Sequence, residues 1–193
     1  MPLDVVILGA PGAGKGTQAK LISADAGIPH IATGDILRAA IANGSELGRQ
    51  VRSIVDRGDL VTDELMIELI RERLAREDTA DGFLLDGFPR TFEQATALDA
   101  KLKEIDRELS VVLEFQIPEE LVIERLLKRA HEEDRTDDTP DVIRHRLEVF
   151  HAQTQPLVEY YRSRGVLVGI HADRTIDEVF AEVQSVLQSA AAR

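Results

Sequence analysis

Residues 5–17 read Val5-Val6-Ile7-Leu8-Gly9-Ala10-Pro11-Gly12-Ala13-Gly14-Lys15-Gly16-Thr17. The four apolar residues at the start predict a strand buried on both faces, and the glycines after them cannot continue it. Gly9, four residues and then Gly14-Lys15 satisfy most of the P-loop pattern, in which backbone N–H groups and a helix N-terminus surround phosphate oxygens. The alternative is a glycine-rich turn without a ligand, which the buried strand before it and the helical sequence after it disfavour.

One position departs from the P-loop pattern. Gly16 follows Lys15 where a Ser or Thr normally holds Mg²⁺, and the hydroxyl comes one residue later, at Thr17. We therefore assign Thr17 to nucleotide phosphate and leave direct ligation of a metal by Thr17 open.

Composition and charge exclude several classes of protein. A chain of 193 residues with 44% hydrophobic residues can bury one sizeable core. The net charge of −12 disfavours a general nucleic-acid binder, and no apolar run approaches the length of a membrane span. The first residues lack the basic start of a signal peptide, and the absence of Cys fits a reducing cytosol. We expect a cytoplasmic protein that binds neither nucleic acid nor membrane.

Short apolar segments alternate with helical patterns along the chain. The alternation predicts an α/β fold with three layers, in which helices cover both faces of a parallel sheet. The five predicted strands are residues 5–8, 29–32, 82–85, 111–117 and 166–170. Two short predicted helices, 36–42 and 46–57, lie in a segment with few large apolar residues, which suits a small mobile subdomain.

A second candidate site follows the strand at residues 82–85. Asp86 ends this strand, where acidic residues of P-loop folds hold Mg²⁺ directly or through its waters; the alternative is a carboxylate that caps a turn. Thr91-Phe92-Glu93-Gln94 matches a capping box, which gives Gln94 a purely structural explanation.

Arginines are concentrated around two segments that look like lids. Transfer of a phosphoryl group between two anionic substrates needs positive charge on both sides of the transition state, and the planar guanidinium binds phosphate oxygens in pairs. Any single arginine is more often part of a solvated surface, but the position of the whole set favours phosphate binding. Its members are Arg38, Arg90, Arg125, Arg129, Arg135 and Arg146.

The motifs, taken together, resemble those of adenylate kinases over nearly the whole chain and in the right order. The resemblance is carried by residues 9–18, by Thr33-Gly34-Asp35 with Arg38, by residues 60–63, by Asp86-Gly87-Phe88-Pro89-Arg90-Thr91 with Gln94, and by residues 135–138 and 144–147. It implies a monomeric, Mg²⁺-dependent nucleoside monophosphate kinase of the P-loop fold that catalyses ATP + AMP ⇌ 2 ADP and serves adenine nucleotide homeostasis.

The resemblance also implies a role for individual residues. The catalytic cations would be Lys15, Arg90, Arg125, Arg129, Arg135 and Arg146. ATP would be held by Gly12, Ala13, Gly14, Lys15, Gly16, Thr17, Arg125, Arg129 and the backbone of Arg174. AMP would be held by Thr33, Arg38, Asp59, Leu60, Val61, Gly87, Phe88, Pro89, Arg90, Gln94, Arg135 and Arg146. Asp86 would hold Mg²⁺ through water, with Asp35 assisting.

The domain organisation follows from the same resemblance. Residues 1–31, 62–127 and 139–193 would form the core, residues 32–61 the AMP-binding subdomain, and residues 128–138 a short lid. Because the short lid has no zinc cysteines, no structural zinc is expected. Two departures from the family pattern are Asp134, in place of a glycine before the lid arginine, and Asp59, where Lys or Glu is frequent.

Three other functions remain open at this point. A UMP/CMP kinase shares the architecture but usually has Asn where this chain has Thr91. A P-loop switch or regulatory ATPase would hydrolyse ATP without an acceptor and would not need a second set of arginines. An inactive nucleotide-binding relative is disfavoured by the presence of Lys15, Arg90 and Arg135.

Overall fold

A five-stranded parallel sheet forms the centre of the protein, as predicted. The computed structural model describes residues 2–132 and 139–191. The strand order is β2-β3-β1-β4-β5, so the strand that precedes the P-loop is central. The strands are β1 Leu3–Gly9, β2 His30–Ala32, β3 Gly82–Asp86, β4 Val111–Gln116 and β5 Leu167–His171.

Helices cover both faces of the sheet. They are α1 Lys15–Ala26, α2 Thr33–Ala42, α3 Glu46–Arg57, α4 Asp63–Leu74, α5 Phe92–Glu104, α6 Glu119–Glu132, α7 Pro140–Val149, α8 Leu157–Ser163 and α9 Ile176–Ala191. A short 3-10 turn, Glu77–Thr79, precedes β3. No helix within the described residues combines the length and the apolar character that crossing a bilayer requires.

Alternate residues of β1 pack into two different cores. Val5 and Ile7 belong to the cluster that α1 and α9 close, whereas Val6 and Leu8 belong to the cluster that α4, α5 and α8 close. All four are at most 3% exposed. Since side chains of a strand point alternately to opposite faces, β1 is anchored from both sides, and the loop after it starts from a fixed point.

Three helices begin at threonine caps, and the first of them belongs to the capping box that the sequence predicts. The hydroxyl of Thr91 accepts a hydrogen bond from the Gln94 N–H at 3.2 Å, and Thr139 and Thr175 cap α7 and α9 in the same way. The Glu178 carboxylate also accepts from the Thr175 N–H at 3.1 Å, which completes a capping box.

The helical pattern that begins at Thr139-Pro140 predicts one long helix that continues past Pro156, and the structure divides it. Residues Phe150–Thr154 form a π-helical turn, in which the Gln155 N–H donates to the Phe150 carbonyl at 2.9 Å. Pro156 lacks the N–H that would continue an α-helix, and its ring would clash with the carbonyl four residues earlier. The wider turn accommodates this break before α8 begins.

Helices α2 and α3 form a hairpin whose backbones nearly touch. A Cβ added to Gly48 would lie 2.0 Å from the Ala40 carbonyl oxygen. The Ser45 hydroxyl accepts from the Gly48 N–H at 3.1 Å and begins α3 beside this contact. The close approach therefore holds the two helices together as one unit.

Gly48→Ala is expected to destabilise this hairpin, although alanine normally favours a helix by about 1 kcal/mol over glycine. The added methyl group must push α2 and α3 apart, which we expect to cost about 1–3 kcal/mol. Hydrogen exchange of α2 and α3 amides measures the change, and Ser53→Ala on the exposed face of α3 is the control. Equal protection in the two variants would contradict the expectation.

Candidate functional site

A cavity of about 660 Å³ opens at the carboxyl edge of the sheet. Its lining comes from the loop after β1, the start of α2 after β2, the loop after β3 and the loop after β5. In open parallel sheets, ligands bind in the crevice outside these strand ends. The cavity is therefore the candidate site.

The P-loop forms one wall of the cavity. Gly12 and Gly14 both have φ +85°, a conformation that side chains rarely adopt. A Cβ on Gly12 would also lie 2.8 Å from Leu126 Cγ of α6, so the loop needs glycine there for space as well. The lining residues of this wall are Gly12, Ala13, Gly14, Lys15, Gly16 and Thr17.

Lys15 is held by the loop that it follows. Its ammonium donates to the carbonyls of Gly9 and Ala10, each at 2.8 Å. Burial lowers the pKa of Lys15 to about 8, and the nearby Arg90 and Arg129 act in the same direction against the opposing charge of Asp86. Phosphate oxygens would supply negative charge that favours the protonated form of this ammonium.

Asp86 lies beside the P-loop, where a Cβ on Gly16 would be 3.7 Å from its Oδ2, and it contacts a residue that the sequence did not single out. The His30 Nε2 of β2 is 3.4 Å from Asp86 Oδ2. Burial alone would raise the pKa of Asp86, but the contact with His30 and the charges of Lys15, His30 and Arg90 lower it below the usual value. The carboxylate is therefore ionised at neutral pH and is bound to His30 rather than capping a turn.

A second wall of the cavity is built on the turn after β3. The Thr33 hydroxyl donates to the Gly87 carbonyl at 2.9 Å, which joins the start of α2 to this turn. A Cβ on Gly87 would lie 2.7 Å from that hydroxyl oxygen, and Gly87 has φ +83°. Glycine is thus required where the turn approaches Thr33.

The backbone of Arg90 is fixed from two sides. Its N–H donates to Gln94 Oε1 at 2.8 Å, and its carbonyl accepts from the Thr154 hydroxyl at 2.9 Å. Gln94 is only 2% exposed, and its Nε2 donates to Asp63 Oδ1 at 2.7 Å. The Arg90 Nε donates to the Gly87 carbonyl at 2.8 Å. The backbone that carries the guanidinium is therefore fixed in position beside the cavity.

Other arginines reach the cavity from separate elements. Arg38 pairs with Asp35 one turn earlier in α2. Arg125 Nη1 donates to the Ala172 carbonyl at 3.0 Å. Arg146 packs against Gly58, where an added Cβ would be 2.9 Å from Arg146 Cγ. Arg129 also lines the cavity, as do these three.

The segment after α3 contacts α7 through the side chains of Asp59 and His145. His145 Nε2 lies 2.6 Å from Asp59 Oδ1, and Arg57 Nε donates to Asp59 Oδ2 at 3.0 Å. These contacts lower the pKa of Asp59. Asp59, Leu60 and Val61 all line the cavity.

The structure brings most of the predicted site residues to this one cavity. Thr33, Arg38, Gly87, Arg90, Gln94, Asp86, Arg146 and Arg174 line it together with the P-loop and residues 59–61. Phe88 and Pro89 are buried, and the Phe88 side chain packs in the core. Arg135, Asp134 and residues 133–138 of the predicted lid lie outside the described residues.

The cavity lining includes carboxylates that could contribute to holding a metal ion. Among the described residues, no group of three or more His, Cys, Asp and Glu side chains is arranged to hold a metal ion. Mg²⁺ typically keeps several waters and is bound by one or two carboxylates plus substrate phosphates. The ionised carboxylate of Asp86 beside the P-loop fits that mode.

Comparison with known proteins agrees with the geometry. Residues 7–166 match the family model described as adenylate kinase. The chain belongs to the adenylate kinase family.

Curated adenylate kinases match this chain from end to end. The Thermobifida fusca protein is 48% identical over 98% of this chain and 100% of its own length. The Caulobacter vibrioides protein (strain NA1000 / CB15N) is 45% identical, again over 98% and 100%. The Caldicellulosiruptor bescii protein is 41% identical over 96% and 99%, in an alignment of 212 residues. The resemblance inferred from the motifs is confirmed.

Three residues of this adenylate kinase family member were missed by sequence reasoning. His30 contacts Asp86, Thr154 holds the Arg90 carbonyl, and Glu182 of α9 contacts His171 at the end of β5. A polar residue in a short strand, such as His30, is only a weak signal of a functional residue. The same holds for a buried threonine shortly before a proline, such as Thr154. The partners are at least 11 positions apart in the sequence, so no local pattern connects them.

Proposed function

We propose that this protein catalyses the reversible transfer of a phosphoryl group from ATP to AMP, giving two ADP, and so maintains the balance of adenine nucleotides. One observation carries the proposal. A single cavity is lined on one wall by a P-loop and on the other by Arg38, Arg90 and Arg146, which come from three different elements. A P-loop and a second set of cations in one cavity suit transfer between two nucleotides better than hydrolysis.

The donor nucleotide occupies the P-loop wall in this proposal. The backbone from Gly12 to Thr17 surrounds the ATP phosphates, and the Thr17 hydroxyl binds a phosphate oxygen. The Lys15 ammonium leaves the carbonyls of Gly9 and Ala10 to contact the transferred group. Arg125 and Arg129 of α6 bind ATP, and the backbone of Arg174 lies beside the adenine.

AMP occupies the opposite wall. Thr33, the backbone of residues 59–61, the turn Gly87-Phe88-Pro89-Arg90 and Gln94 hold the acceptor, and the buried Phe88 and Pro89 contribute only backbone. Its phosphate is bound by the guanidinium groups of Arg38, Arg90, Arg135 and Arg146. Since Gln94 Nε2 is held by Asp63 and its Oε1 by the Arg90 N–H, Gln94 also orders this wall.

The side chains position the two nucleotides and supply positive charge to the transferred phosphoryl group. Lys15 and the arginines neutralise charge on the phosphoryl group as it moves between two anionic oxygens, and little acid–base work is required. Mg²⁺, held by Asp86 through water with Asp35 assisting, would neutralise ATP phosphate charge when bound. The pKa of Asp86, already lowered, keeps its carboxylate ionised for this role.

Domain motion completes the proposal. Residues 1–31, 62–127 and 139–193 form the core, residues 32–61 the AMP-binding subdomain and residues 128–138 the lid. The tight contact between α2 and α3 supports movement of the AMP-binding subdomain as one body. Closure of the AMP-binding subdomain and of the lid would exclude water from the transferred phosphoryl group. We further propose a cytoplasmic monomer without structural zinc that binds neither nucleic acid nor membrane.

The test is ADP formation from ATP and Mg²⁺ with AMP, UMP, CMP or GMP added singly, against a control without acceptor. Rapid ADP formation with AMP alone is expected. Preference for UMP or CMP would overturn the acceptor assignment and favour a UMP/CMP kinase. ADP formation that needs no acceptor would favour a P-loop ATPase, and no turnover at all would indicate an inactive relative.

A further inference from the structure

The loop between β5 and α9 forms one end of the cavity. Ala172, Arg174 and Ile176 line it beside Gln18 of α1. This end lies on the P-loop side, where the proposed function puts the base of ATP. A base is recognised by groups whose positions are fixed before it binds, because ordering a loop on binding costs affinity. What holds this loop therefore matters for recognition of the donor.

Two neighbouring elements hold the two ends of the loop. Arg125 Nη1 of α6 donates to the Ala172 carbonyl at 3.0 Å. Gln18 Nε2, from a side chain only 3% exposed, donates to the Ile176 carbonyl at 2.8 Å. Between these two anchors, Thr175 is held by its capping box with Glu178, so Arg174 needs a separate support.

Glu182, in the second turn of α9, supplies that support with one carboxylate. Its Oε2 accepts from the His171 N–H at 3.3 Å, and its Oε1 lies 2.9 Å from His171 Nδ1. Arg174 Nη1 is 3.6 Å from the same Oε2. An ionised carboxylate can only accept hydrogen bonds, so His171 Nδ1 carries the hydrogen of this contact. Glu182 thus contacts the loop at both sides of Ala172.

The charge of Glu182 also determines where the Arg174 side chain lies. Although burial would raise the pKa of Glu182, the contacts with His171 and the charge of Arg174 lower it, so the carboxylate is ionised at neutral pH. The guanidinium is drawn toward α9 by this negative charge. The loop can then present the Arg174 backbone, rather than its cationic side chain, to a base in the cavity.

We propose that Glu182 is a positioning residue for the base of the donor nucleotide. It holds His171 and the Arg174 guanidinium against α9, while Arg125 and Gln18 hold the loop ends. The proposal rests on the proposed function, since the cavity end beside this loop must receive the donor base. The AMP wall has no contact with Glu182 among its described hydrogen bonds and ion pairs.

The decisive variant is Glu182→Gln, which keeps the size of the side chain and removes its charge. We expect KM for ATP to rise by about 3- to 10-fold, with kcat and KM for AMP within about twofold of the parent protein. The dissociation constant of the non-hydrolysable analogue adenosine 5′-(β,γ-imido)triphosphate, from isothermal titration, should rise by the same factor. Glu182→Asp, which retains the charge on a shorter side chain, should recover part of the affinity.

Glu159→Gln is the matched control. Glu159 is a surface carboxylate of α8 paired with Arg162 at 2.6 Å. The same substitution there should change neither KM for ATP nor KM for AMP. A lower melting temperature of Glu182→Gln with unchanged affinity for the analogue would overturn the proposal, because the carboxylate would then only stabilise α9. An equal rise in both KM values would also overturn it.

The titration separates this proposal from the proposed function. If the parent protein binds the analogue but transfers nothing to AMP, the proposed function fails while the loss of affinity in Glu182→Gln still supports the role of Glu182. If the parent protein makes ADP from ATP and AMP and Glu182→Gln binds the analogue equally well, the role of Glu182 fails alone.

Discussion

Lys15→Met is expected to lower kcat by a factor of about 10² to 10³ while the protein remains folded. In the structure, the ammonium of Lys15 has carbonyl partners in the P-loop and faces the cavity from the start of α1. In the proposed mechanism, the ammonium of Lys15 is the positively charged side-chain group of the P-loop that lies nearest to the transferred phosphoryl group. Methionine retains a side chain of similar length but removes the charge and all three donors.

The fold should tolerate this change. Burial lowers the pKa of Lys15 to about 8, so the free protein holds the charged ammonium at a cost in free energy. Methionine avoids that cost but leaves the carbonyls of Gly9 and Ala10 without this donor. Because the two effects oppose each other, we expect a melting temperature close to that of the parent protein.

Steady-state kinetics at saturating ATP, AMP and Mg²⁺ measure the effect of Lys15→Met. Lys103→Met, on the exposed side of α5, is the control for loss of a positive charge and should leave kcat unchanged. A kcat of Lys15→Met within about tenfold of the parent value would contradict the assigned role, since loss of one preorganised donor usually costs more than that.

Arg90→Ala is expected to reduce kcat/KM for AMP by a factor of about 10² to 10³. Gln94 and Thr154 bind the Arg90 main chain, so truncation removes the guanidinium without releasing the backbone. The planar guanidinium can bind two oxygens of one phosphate at a fixed angle. Arg90→Lys keeps the charge without this geometry and should be intermediate.

Binding measurements distinguish the two walls of the cavity. Arg90→Ala should bind the non-hydrolysable ATP analogue within about threefold of the parent protein, because the donor phosphates contact the P-loop instead. Arg71→Ala, on the exposed surface of α4, is the matched control and should behave as the parent. Equal losses of affinity for the analogue and for AMP would place Arg90 between the substrates rather than on the acceptor wall.

The sheet and the P-loop could be predicted from sequence because their signals are local. Val5 to Leu8 are apolar without interruption, since the central strand is buried on both faces. The glycines at positions 12 and 14 follow from backbone conformations with positive φ. The caps at Thr91, Thr139 and Thr175 act within three residues of their partners.

The contacts that finish the site could not be predicted because they join distant residues. Asp59 and His145 are 86 positions apart, and their pairing depends on how α7 packs against the end of α3. The π-helical turn that presents Thr154 to Arg90 depends on how the chain accommodates Pro156. The role of Arg90 was inferred from the family resemblance, whereas the contacts that hold its backbone required the fold.

The missing side chain of Gly12 has a practical meaning for protein engineering. Leu126 occupies the space where a Cβ would project, so the P-loop and the first half of α6 interlock and keep a common frame. Arg125 belongs to this frame, and Arg129 follows one turn later. In chimaeras that exchange lids between relatives, a junction placed after Arg129 would preserve the frame, whereas a junction inside residues 119–126 would require the glycine and the leucine to be exchanged together.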